Sequence, residues 1–194
     1  AAIQEANAQP GQQTISLGPI VHYMAIYGAD EDAAATGDLD VSDDLIIEGA
    51  DASTTIVQAE TIDRLFDVAA GVSLTLSDVT LSEAQSYDAG GGLRAGDGAF
   101  VVLARPVFER NLAVYEGGAV ALLGDTIGGA TLLAVESRFA QNTPVIEHAT
   151  EGAGGAIHAS GHAAMYLVDC SLEANVADDG AAIYTAFGGV TIER

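Results

Sequence analysis

An all-β solenoid of parallel coils is the fold class this sequence predicts, and three observations predict it. First, a glycine phrase recurs: Gly91-Gly92-Leu93, Gly117-Gly118-Ala119-Val120, Gly154-Gly155-Ala156-Ile157 and the degenerate Gly180-Ala181-Ala182-Ile183. Second, an apolar residue stands three places before an asparagine at Phe108 and Asn111, Phe139 and Asn142, and Leu172 and Asn175, the asparagines lying 31 and 33 residues apart. A period of about 30 residues with variable loops is the mark of coils added one at a time. Third, the apolar runs are short and divided by Gly, Asp, Asn or Ser, as strands ended by tight turns are. Each repeat re-enters in the same direction, so the strands are parallel.

The elements follow in order. Ala1 to Ala8 is the best helix candidate, because Ile3 and Ala6 give it a weak apolar face and Pro10-Gly11 ends it. It is expected to cap the first coil, whose open end would otherwise expose apolar interior and unpaired backbone. The whole chain, 1–194, reads as one domain: a cap over 1–10, first coils over 11–70 with an acidic loop at 30–44, and the phrase-bearing coils over 71–194. Strands are expected at Gln13–Leu17, Leu45–Ile47, Thr55–Val57, Leu65–Val68, Val72–Leu76, Val79–Leu81, Phe100–Leu103 and Thr131–Val135.

Aligning the coils on the apolar anchor stacks Leu81, Phe108, Phe139 and Leu172 in the interior, with Val79, Pro106, Ser137 and Cys170 two places earlier on the same face. Asp78, Arg105, Glu136 and Asp169 then face outward. Neighbouring strands lie about 4.8 Å apart, so Arg105 falls between two acids, and Glu136 and Asp169 become like-charged neighbours. The asparagines fall at the turn after the anchor, where their amides bond the next coil or their backbone turns left-handed. Cys170, the only cysteine, excludes an internal disulfide. The alternation of Leu167 to Leu172 sends it inward with Val168 and Leu172, as a small buried hydrophobe.

Composition sets the charge and excludes some partners. The chain carries 28 acids, 6 arginines and no lysine, for a net charge of −22, while 49% of its residues are hydrophobic. That field repels nucleic-acid phosphates and anionic lipid. No apolar run is long enough to span a membrane, and the first residues do not read as a signal peptide. Such acidity suits a secreted protein in a salty or calcium-rich medium, where cations screen self-repulsion. The abrupt ends at Ala1 and Arg194 read as those of a mature fragment or an excised domain of a longer chain.

Two family resemblances refine this picture. The Phe108/Asn111 and Phe139/Asn142 pairs, with Gly117 to Val120 and Gly154 to Ile157, resemble the repeats of polymorphic outer-membrane protein passengers. The run from Ala1 to Ala8, then Thr14-Ile15, Glu31 to Asp40 and Asp43 to Ala50, resembles the start of CSLREA-domain proteins. The Cys-Ser-Leu-Arg that names that family is missing, which fits a chain cut just inside the motif. The resemblance covers nearly the whole chain. It implies a right-handed parallel β-helix on a large secreted or surface-attached bacterial or archaeal protein, with no established catalytic residues.

Chemistry concentrates in the acidic stretch Asp30-Glu31-Asp32, Asp38 and Asp40, with Asp43-Asp44 beyond. Calcium takes six to eight oxygen ligands on a flexible loop, and Asp32, Asp38 and Asp40 around Gly37 offer carboxylates for it. The alternative is a solvated acidic loop in which Asp30 or Asp32 caps a turn. His158 and His162 flank a turn and need a third ligand, His148 or Glu151, to hold zinc; surface imidazoles are the default. β-Helix polysaccharide lyases combine carboxylate-held calcium with an Arg or Lys base, and hydrolases group aspartates. Here no catalytic centre is assigned; Arg105, Arg138, Glu136 and Asp169 read as a charge ladder. The expected function is a non-enzymatic extracellular or cell-surface structural or adhesive protein, a passenger or a subunit stacking end to end, binding itself or glycans. The alternatives are a calcium-dependent polysaccharide lyase or hydrolase and a carbohydrate-binding module.

Overall fold

Five-residue strands recur at Gln13–Leu17, Leu45–Gly49, Ser73–Ser77, Phe100–Ala104, Thr131–Val135, Ala164–Val168 and Gly189–Glu193, and pair in that order as one seven-stranded parallel sheet, the long sheet. The structure is a computed structural model, and it describes residues 1–24, 33–60, 63–125, 128–144 and 152–194. A second sheet joins Val21–Tyr23, Ile56–Gln58, Thr80–Ser82, Val107–Glu109, Arg138–Ala140 and Ser171–Glu173. A third joins Leu39–Val41, Phe66–Val68, Leu93–Ala95, Val120–Leu122, Ile157–Ala159 and Ile183–Thr185, and a small one joins Gln85–Ser86, Leu112–Ala113 and Thr143–Pro144. Each coil visits the sheets in turn and returns above its starting strand. The fold is therefore an all-β parallel solenoid.

Period-two alternation fills its interior. Leu74, Leu76, Val101, Leu103, Leu132, Ala134, Met165 and Leu167 point inward from the long sheet and are buried. The anchor stack forms as expected: Phe108 pairs with Leu81 and Phe139, and Phe139 with Leu172. The two phenyl rings stack with centroids 5.2 Å apart. Each of the larger side chains, removed from water, contributes roughly 1.5–3 kcal/mol before the entropy of ordering is set against it.

Corners are made by left-handed residues at fixed places in the coil. Asp78, Arg105, Glu136 and Asp169 leave the long sheet at φ 53°, 61°, 49° and 51°, and Glu83, Arg110, Gln141 and Ala174 leave the second sheet at 56°, 54°, 57° and 51°. The approach to the third sheet uses Gly90, Gly117, Gly154 and Gly180. The glycine phrase therefore begins at Gly90, and its second member is needed for room: a Cβ on Gly118 would collide with the backbone of Thr143 and Gly155.

These corners interrupt the alternation read through Cys170. Because Asp169 turns the chain, Leu167 rather than Val168 faces the interior. Cys170 is half-buried, its thiol donating to the carbonyls of Ala134 at 3.3 Å and Val168 at 3.4 Å. The acidic loop 30–44 contains a strand, Leu39–Val41, and the three-residue strands at Val120–Leu122 and Ile157–Ala159 come directly after the glycines. Helix α1, Ala2–Asn7, forms where expected and buries Ile3 and Ala6. Asn7 ties it to the solenoid by donating to the Asp40 carbonyl at 2.8 Å and accepting from the Ser42 amide at 3.2 Å. Among the described residues no helix is long and apolar enough to cross a membrane.

Candidate functional site

The middle residues of the third-sheet strands stand directly over one another on the outside of the solenoid: Asp40, Asp67, Arg94, Ala121, His158 and Tyr184. Among the described residues, two of the three buried side chains that carry a carboxyl, guanidinium or imidazole stand in this row, and the third reaches into it. Asp40 is 8% exposed, His158 2%, and Arg64, which reaches in from the turn before Phe66, 9%. The Arg64 Nε lies 3.0 Å from Asp38 Oδ2 and 3.8 Å from Asp67 Oδ2, and its Nη1 donates to the Ala89 carbonyl at 2.8 Å. Arg94 donates to both Asp67 oxygens, through Nε at 3.2 Å and through a shorter bond from Nη2, and also reaches Asp88 at 3.4 Å. Oxygens of Asp38, Asp40 and Asp67 come within 4.8 Å of one another.

Two of the five acids proposed for calcium, Asp38 and Asp40, are thus brought together, and Asp40 Oδ2 accepts the Ala34 amide at 2.7 Å. Asp30, Glu31 and Asp32 lie outside the described residues. The third carboxylate comes instead from Asp67, one coil on. Crowding has a chemical result: burial, then the Asp40 charge, push the Asp38 carboxyl up to about 7 against the opposing pull of Arg64. A carboxyl that titrates near neutrality beside ionised neighbours can hold a proton, exchange it for a cation, or donate it.

At the other end of the row, the imidazole is not a surface group. The His158 ring stacks on Tyr184 with centroids 5.4 Å apart, and its Nδ1 lies 3.1 Å from Glu116 Oε2. Burial lowers its pKa against the raising effect of Glu116, which favours the neutral ring. His162 is exposed and meets the Asp125 carbonyl at 2.9 Å, while His148 and Glu151 lie outside the described residues. Tyr87 and Tyr115, 70% and 57% exposed, are the sequence neighbours of Asp88 and Glu116 on this side.

The asparagines form a separate spine. The Asn142 amide donates to the Phe108 carbonyl at 3.0 Å, and its Oδ1 accepts from Asn111 Nδ2 at 3.1 Å and from the Asn111 backbone at 3.0 Å. Asn175 repeats this toward Phe139 and Asn142, and Asn111 toward Leu81 and Ala84. The side chains bond the neighbouring coil, and the residue before each asparagine takes the left-handed corner. Arg105 is clamped on Asp78 through two bonds of 2.8 and 2.7 Å, as its place beside an acid implies. Arg138 reaches Glu173 at 3.3 Å.

Sequence reading missed Arg64, Asp67 and Arg94, although a signal for them exists. Asp40, Asp67 and Arg94 are separated by 27 residues, the same interval that separates Leu81 from Phe108. The fold and this geometry define a parallel β-solenoid whose coils are tied by polar side chains, with one recessed ionisable row. No family model matches the sequence, and no curated protein or solved structure matches it either. The parallel solenoid agrees with the fold implied by the CSLREA and outer-membrane-passenger resemblance, and the family assignment has no matching model behind it.

Proposed function

We propose that the chain is a non-enzymatic structural or adhesive rod of the extracellular space or cell surface. One observation carries this reading: the polar clusters of the described residues join successive coils. Asn111, Asn142 and Asn175 link coils, Arg94 links to Asp67, Arg105 to Asp78 and Arg138 to Glu173. Side chains committed to neighbouring coils stiffen a rod and are not available to reacting atoms. Glycans of a matrix or cell surface are the partners such a rod would meet, with Tyr87 and Tyr115 as stacking platforms. A glycan-array screen tests this, with binding lost in a Tyr87→Ala/Tyr115→Ala double variant; product release from pectate or alginate would overturn the non-enzymatic reading.

The second reading, a calcium-dependent polysaccharide-active enzyme or binding module, draws on the meeting of Asp38, Asp40 and Asp67. Calcium there would have to displace the hold of Arg64 on Asp38. If it does, chelator lowers the melting temperature of the wild type and leaves an Asp38→Asn/Asp40→Asn variant unmoved. Equal melting with and without chelator ends this reading.

A further inference from the structure

The outward face of the long sheet breaks the charge pattern of the rest of the molecule. Four successive strands present three outward positions each, in register: Ser73, Thr75 and Ser77; Phe100, Val102 and Ala104; Thr131, Leu133 and Val135; Ala164, Tyr166 and Val168. Not one is an acid, an arginine or a histidine, in a chain with 28 acids and a net charge of −22. Toward the centre the face is apolar, with Val102, Leu133, Val135 and Val168 flanked by Phe100, 44% exposed, and Tyr166, 47% exposed. Charge returns on the strands that flank these four, at Glu48 and Glu193, and along the side of the sheet at the corners Asp78, Arg105, Glu136 and Asp169. An apolar centre inside a charged rim is the anatomy of a protein interface, and a contiguous exposed patch of this kind marks an interaction surface.

We infer that this face is where two copies of the chain pack laterally, sheet on sheet. Charge selects the occupant. A copy at net −22 is repelled by another almost everywhere, and these four strands offer a broad approach free of that repulsion. Shape selects it as well: two identical sheets share one twist, so their faces pack in the aligned manner about 10 Å apart. A two-fold axis centred between the strands of Val102 and Leu133 and perpendicular to the solenoid axis sets Tyr166 over the partner's Thr75 and Phe100 over the partner's Thr131. Large side chains then meet small ones across an isologous contact. Four strands of five residues give a plane of roughly 300 Å² per copy. The pair thus buries on the order of 600 Å², below the usual size of specific interfaces, which makes the association weak and transient.

Sedimentation equilibrium of the 194-residue chain across protein concentration and NaCl tests this. The expected result is a monomer–dimer equilibrium that tightens as salt screens the charged rim and the net charge. Leu133→Glu, at the centre of the face, should raise the dissociation constant about tenfold or more. Thr75→Glu, which changes a polar position and so puts folding at less risk, should do the same, with both variants melting near the wild type. A wild type that stays monomeric at every concentration and salt overturns the inference. So does association that weakens as salt is added, or that is unchanged in whichever of the two variants melts as the wild type does.

Discussion

At Asn142 a single side chain satisfies three backbone or amide groups in the buried turn, so its loss leaves the Asn111 amide and the Phe108 carbonyl without their partners. Each buried group left unsatisfied costs about 1–3 kcal/mol. Asn142→Ala is therefore expected to destabilise by about 3 kcal/mol in urea titration, and an unchanged midpoint would dismiss the spine. Ala174 presents the opposite case. It holds φ 51° with an exposed methyl, a conformation glycine adopts without strain, so Ala174→Gly should stabilise by about 0.5 kcal/mol despite the freedom glycine gains when unfolded. Asp38 adds a pH dependence. Its carboxyl is raised from 3.8 to about 7 in the fold, so the folded state binds that proton more tightly than the unfolded one. The stability it contributes is complete below about pH 4 and is lost as pH rises through 7. Asp38→Asn keeps a neutral side chain, and in calcium-free buffer its stability relative to wild type should grow between pH 4 and 7; a constant difference would refute the assignment.

Elements differed in how plainly their sequences announced them. The long sheet was legible because alternation over five residues, as in Thr131–Val135, is enough to show a period of two. The third sheet was legible only at Leu65–Val68, since three-residue strands such as Val120–Leu122 and Ile157–Ala159 are too short to show a period and follow directly on glycines. Those glycines are also the approach to the ionisable row. Asp67 and Arg94 escaped notice because what joins them to Asp40 is coil register, and only the 27-residue interval encodes it. Asp38 and Asp40 could be found by local acid density; their partners could not. The same geometry predicts that Gly118→Ala, which forces a Cβ into the backbone of the next coil, lowers the melting temperature sharply. The cost should exceed about 2 kcal/mol, in the range of overpacking and backbone strain.

For the whole molecule, net charge and architecture pull in opposite directions. A closed stack of parallel coils holds its acids at fixed spacings of about 4.8 Å per coil, so like charges accumulate along the axis at places such as Glu136 and Asp169. Arginine interrupts these columns where it occurs, at Arg94, Arg105 and Arg138. Salt is expected to supply the rest of the screening, and the melting temperature should rise from low to molar NaCl. A melting temperature that falls over that range would show that the arginine bridges outweigh the bulk repulsion.

The asparagine spine runs one way. Asn111, Asn142 and Asn175 each spend their side chain on the coil before their own. A coil is therefore completed by its successor, and a duplicated segment inserted downstream arrives carrying the groups that finish the coil already present. Loops can lengthen between asparagines, as the 31- and 33-residue intervals show, without disturbing that handover. Such a chain can grow in evolution by copying one coil, and under tension applied at its far end it should open in coil-sized steps, each release stripping the closure from the coil behind it.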